Sequence, residues 1–160
     1  MSKRGIEALV ATVLLVLITI AAVGIIWGAV MPMIKGNIEK SQRCYDVALE
    51  IKQGANTCYH VYEQTLDIQV SRGEKEVSIK DINIQIGSQG TSKSIKVSND
   101  TFVTQNNNTI PGPNEEVKYI IDVNKTGLPS VDYASVAAVL EIGKTESLCS
   151  ASQPVSINEC

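Results

Sequence analysis

The 160-residue chain has one histidine, one phenylalanine and one tryptophan, and aromatic residues make up only 4% of it. His60 stands in a strand-like stretch with no Ser-His-Asp context, metal-ligand spacing, phosphate-cradling loop or zinc signature around it. The acidic residues are scattered, and no pair reads as general acid and base. Asp100, Asp122 and Asp132 lack the spaced loop of a calcium site. The expectation is a protein that is not an enzyme and takes no cofactor and no metal. Excess positive charge is missing too: 14 Lys and Arg stand against 17 Asp and Glu, a net charge of -3. A nucleic-acid partner is therefore not expected. Scarce aromatics also disfavour a sugar-type recognition face, for which Tyr59, Tyr62 and Phe102 would be the available rings.

What the chain does have is an apolar run at its beginning. Lys3, Arg4 and Gly5 lead into residues that are uncharged from Ala8 to Ile34, with Glu7 at the entrance. As a helix this run reaches roughly 40 Å, more than the ~30 Å hydrocarbon core of a bilayer. Cations ahead of it place the N-terminus in the cytoplasm and the rest outside. Glu7 is the unusual element, because a carboxylate deep in a membrane costs on the order of 2.5–3.5 kcal/mol. Gly24 and Gly28 form a GxxxG that permits close helix approach. Thr12 and Thr19 can bond back to the preceding turn. Trp27 suits either an interfacial belt or a bundle, and Pro32 with Gly36 predicts a kink or end around 31–37.

Beyond this run the apolar period is two. Leu66-Ile68-Val70, Ile82-Ile84-Ile86, Ile95-Val97, Val117-Tyr119-Ile121-Val123 and Val136-Ala138-Leu140-Ile142 alternate with polar or small residues. Turn chemistry separates them at Ser71-Arg72-Gly73, Gly87-Ser88-Gln89-Gly90, Pro111-Gly112-Pro113-Asn114 and Gly127-Leu128-Pro129. The fold class is α+β: a long N-terminal hydrophobic helix, then an antiparallel β-sandwich, immunoglobulin-like or similar, of about seven or eight strands. Residues 34–51 fit both periods, and the reading is helix to Arg43 and strand from Cys44. Residues 99–114 read as a long surface loop.

Cys44, Cys58, Cys149 and Cys160 have no CxxC or Cys/His ligand spacing. Of three pairings, the sequence-near set Cys44–Cys58 and Cys149–Cys160 is expected, each closing a loop worth roughly 2.5–3 kcal/mol; four free thiols are the alternative. Disulfides fit an extracytoplasmic domain, as do sequons at Asn99, Asn107 and Asn124 that could carry N-glycans.

Three readings of the N-terminus follow. A secretory signal would end near Ala22-Val23-Gly24 and leave an apolar stub. A plain anchor explains length and charge but gives Glu7 no role. In the order Lys3-Arg4-Gly5, Ile6-Glu7-Ala8, long apolar helix, the segment resembles the class III signal of archaeal type IV pilin-like proteins and their archaellin relatives. The resemblance covers residues 1 to about 35. It implies cleavage by a prepilin peptidase between Gly5 and Ile6, removing leader 1–5. Residues 6–43 would be the membrane and assembly helix with its stem, and 44–160 the extracellular domain. It further implies a homopolymer built through the N-terminal helices with the pilus assembly machinery, after a stage as a single-pass membrane precursor. In the bacterial branch the acidic residue lies at the fifth mature position, whereas Glu7 would be the second. A role in pairing with a neighbouring subunit's new amino group would neutralise two otherwise costly charges. The runner-up is a membrane-anchored extracellular binding or adhesion domain, such as a minor pilin or a sugar-binding surface protein.

Overall fold

The structure, a computed structural model, describes residues 3–98, 101–106, 109–143 and 145–160, with residues 3–9 described by backbone alone. It divides into two compact units, Met1–Lys40 and Ser41–Cys160.

The first unit is helical. Helix α1 (Lys3–Ile25) runs through a π-helical turn (Ile26–Val30) into α2 (Met31–Val47), whose last turns belong to the second unit. Leu, Ile and Val surround α1 on every side, so it lacks the single apolar stripe of a surface helix. Ile25 and Met31 keep right-handed helical backbone on either side of the π turn. The expected break around 31–37 is instead a change of register. Met31 N–H donates to Ile26 O, five residues back. Pro32, which follows, has no N–H and would crowd the carbonyl four residues earlier. A widened turn placed ahead of it is one of the known ways of accommodating such a disruption.

Helix continues past Arg43, where a strand was expected. Cys44 and Val47 sit three residues apart and pack with Ala138, Leu140 and Cys149, whereas Tyr45 is 84% exposed. The period-two reading of Tyr45, Val47, Leu49 and Ile51 would have put Tyr45 and Val47 on one face. Burial of Val47 with half-buried Cys44 beside it favours the helix. It ends at Ala48, whose φ of 44° lies in the left-handed region.

Among the described residues the second unit has eleven strands. They are β1 (Leu49–Ile51), β2 (Cys58–His60), β3 (Thr65–Arg72), β4 (Ile79–Ser88), β5 (Thr91–Lys96), β6 (Val103–Gln105), β7 (Glu116–Asp122), β8 (Tyr133–Ile142), β9 (Thr145–Leu148), β10 (Val155–Ser156) and β11 (Asn158–Glu159). One sheet has the order β11-β2-β3-β7-β6, with β1 also on β3. The other has β10-β8-β4-β5, with β9 also on β8. Every pairing is antiparallel except β11 on β2. Leu66, Ile68, Val70, Tyr119 and Ile121 from the first sheet share one core with Ile82, Ile84, Ile86, Ile95 and Val136 from the second. Full burial of such side chains is worth about 1.5–3 kcal/mol each. The fold is α+β, as the alternation implied.

Turns are tighter than their composition suggested. The β4–β5 hairpin closes on Gln89 and Gly90 alone, with φ of 49° and 82°, the two positive values a type I′ turn requires. Gly87 and Ser88 belong to β4. Gly87 is needed because a Cβ there would lie 2.3 Å from the ring of its cross-strand partner Tyr133. Ser71 and Arg72, also expected in a turn, finish β3. Strand β6 interrupts the expected long loop, with Val103 buried opposite Ile121.

Candidate functional site

Two features of the described residues stand apart from an ordinary folded domain: the bare helix and the disulfide framework at the edges of the sandwich. Every described side chain from Val10 to Val30 is exposed; Leu15 is 64% exposed, Ile18 68% and Trp27 67%. The stretch Val10–Val47 is long and apolar enough to cross a membrane. Among the described residues, open space lies where a Cβ would stand at Gly24 or Gly28. Thr19 Oγ1 donates to Val16 O at 2.8 Å and is satisfied locally. Gly5, Ile6 and Glu7 lie in the first turns of α1 by backbone.

The disulfides correct the expected pairing. Cys44 is joined to Cys149 (Cα–Cα 5.4 Å) and Cys58 to Cys160 (5.2 Å). The near pairs fail for a reason found in the sheets. β1, which follows Cys44, pairs with the far end of β3 (Leu49 opposite Arg72), whereas Cys58 pairs with the near end (opposite Asp67). Cys58 thus lies toward the start of β3, whereas the chain leaving Cys44 joins β3 at its other end. Cys149 and Cys160 are held in different sheets: Cys149 N–H donates to Ala138 O of β8, and Cys160 N–H to Tyr59 O of β2. The bonds span sequence separations of 105 and 102. Loops that long are worth about 4.7 kcal/mol each in the chain-entropy model, and less jointly because they overlap.

Between these bonds, residues 149–160 form a strap. β10 lies on β8 in one sheet and β11 on β2 in the other, with a disulfide at each end. Beside Cys44–Cys149 opens a cleft of about 500 Å³, floored by Val47, Leu49, Val136 and Ala138. On its rim Lys75 Nζ donates to Asp46 Oδ1 at 2.6 Å, and this hydrogen bond and the carboxylate charge raise the Lys75 pKa. Arg72, buried and unremarkable in the sequence, donates to the carbonyls of Pro111, Lys75 and Val77 and so ties two loops together.

His60 Nε2 lies 3.3 Å from Asp67 Oδ2, which also accepts from Lys118 Nζ at 2.8 Å. Cys58, His60 and Cys160 bring potential ligand atoms within 4.8 Å of one another. Both sulfurs are consumed by the disulfide, leaving one imidazole, which is not a metal site. Asp122 is paired with Lys125 at 2.9 Å; Asp132 accepts from Gln89 N–H at 3.1 Å. Asn124 is exposed at the start of a 3-10 turn (Asn124–Thr126), accessible to a glycan; Asn99, Asn107 and Asp100 lie outside the described residues. No protein-family model matches the chain, and no curated protein matches it either.

Proposed function

We propose that the chain is the structural subunit of an extracellular type IV pilus-like filament. It enters the membrane N-terminus inside, is cut after Gly5 by a prepilin peptidase, and polymerises through its helix. The observation that carries the reading is the helix surface from Val10 to Val30, apolar on all sides and, among the described residues, exposed at every side chain. Each Leu, Ile or Val there gains about 1.5–3 kcal/mol when removed from water. Lipid supplies that cover first. Copies of the same helix supply it afterwards by packing and polar pairing, with Gly24 and Gly28 admitting close approach. The leading Lys3-Arg4-Gly5-Ile6-Glu7 supports cleavage over permanent anchoring, and the stapled β-domain supports an oxidising compartment outside the cell.

N-terminal sequencing of the protein from its native host tests the reading. A start at Ile6 is expected, and Gly5→Val should leave uncut precursor in the membrane and no filaments. An intact start with the domain at the surface would instead establish the anchored binding module. That second reading draws on Tyr62, which stands fully exposed beside Val61 on the β2–β3 hairpin.

A further inference from the structure

The chain leaves α2 at Val47 and enters the sandwich through Ala48 and β1. That entrance is held by weak short-range contacts, among them the Lys75–Asp46 pair and the Lys52 N–H bond to Gln69 O. β1 makes three residue pairs with β3, and Gly73 N–H donates to Ala48 O at 3.1 Å. All of it is non-covalent. Three residues before Val47, Cys44 offers a second route: its disulfide leads to Cys149, directly after β9. From there the chain is fixed to β8 by the Cys149 N–H bond to Ala138 O at 2.9 Å and by the four-pair β8–β9 ladder. β8 in turn is paired with β4 along nearly its whole length. Val47 is 1% exposed and packs on Ala138 and Leu140 at the same place.

We infer that Cys44–Cys149 is a tension shunt. Force arriving along α2 passes through the S–S bond into the central strands of one sheet before it can load the short edge strand β1. Cys58–Cys160 lies off this route, holding the strap against β2. The two disulfides therefore have different work: one bears load and the other latches an edge. The inference rests on the reading of the helix as an anchored segment, in lipid or in a filament. It does not depend on cleavage after Gly5.

The test is single-molecule pulling of the full chain in detergent micelles, with non-cysteine handles at Lys35 and Lys125. Cys44→Ser/Cys149→Ser should at least halve the first rupture force. It should also release about twice as much chain at ~3.5 Å per residue, because the remaining covalent path runs through Cys58–Cys160. Cys58→Ser/Cys160→Ser should leave the first rupture force at the wild-type value. With handles at Tyr62 and Lys125, a route that avoids α2, the Cys44→Ser/Cys149→Ser change should leave the force unaltered. An equal drop in both geometries, or none in the first, overturns the inference. The wild-type chain supplies a second measurement should the variant not fold. Held at Lys35 and Lys125 below its rupture force with a phosphine reductant, it should lengthen in a step whose rate rises with force. A force-independent step overturns the inference equally.

Discussion

Leu15 and Ile18 in α1 are about two-thirds exposed, whereas Leu66 and Ile84 in the sandwich are fully enclosed. The residue types are the same; the periods differ. Alternation at two gives each strand one apolar face, and two sheets with such faces can satisfy each other within one chain. A helix apolar around its whole circumference has no polar face to leave in water, so a single sheet could never cover it. One unit is closed by its own residues; the other leaves its described apolar side chains from Val10 to Val30 exposed.

The comparison can be broken most forcefully at the disulfides. Cys44→Ser/Cys149→Ser should lower the stability of the β-domain by as much as about 4–5 kcal/mol, read from urea unfolding followed by circular dichroism at the strand signal. Helicity of the N-terminal segment in detergent should persist. Next in size, Ile84→Ala should cost about 2–5 kcal/mol because it leaves a cavity between the sheets. Leu15→Ala should leave the β-domain's melting midpoint where it was, and a matching fall would show that the helix surface is buried after all. A smaller loss, about 1–3 kcal/mol, is expected for Gly90→Val, which forces a β-branched residue to a φ of 82°.

Acid should have the least effect. Glu146 is held below its ordinary 4.5 by its hydrogen bond from Lys80 and by Lys96, and Asp122 below 3.8 by Lys125. Both carboxylates favour the fold above those ordinary values, and their contribution disappears as pH falls through the lower folded values. Lys80 is raised above 10.5 by Glu146, so its share is lost only in strong alkali, as pH climbs through that raised value. All are solvent-facing pairs, screened by salt. Melting midpoints should be flat from pH 5 to 9 and decline modestly toward pH 3. A steep decline would overturn the expectation that solvent-facing pairs set the acid response.

Much of the fold was legible because its long strands carry a clean period. Ile82, Ile84 and Ile86 announced β4, and every such alternation from Leu66 onward became a strand. The two- and three-residue strands β6, β10 and β11 are too short to show a period, whereas β1 is the end of the strand expected from Cys44. Cys44 to Ile51 misled because two periods overlap there, and only burial beside Cys149 separates them. The disulfide pairing was illegible in principle: sequence distance says nothing of which end of β3 a cysteine reaches. Arg72 was hidden because its partners are carbonyls, which leave no mark in a sequence. The apolar helix was legible from composition alone, but its π turn and its end at Val47 were not.

The long-range pairing also bears on biogenesis. Ribosomes make Cys44 and Cys58 well before either true partner, and an oxidase meeting the emerging chain would find those two thiols near each other and alone. The bond formed most readily is then the wrong one. Native pairing requires that β1 and β2 be drawn to opposite ends of β3 first, or that a disulfide isomerase reopen the early bond. Yield in a heterologous host should therefore depend on the timing of oxidation more than on its strength.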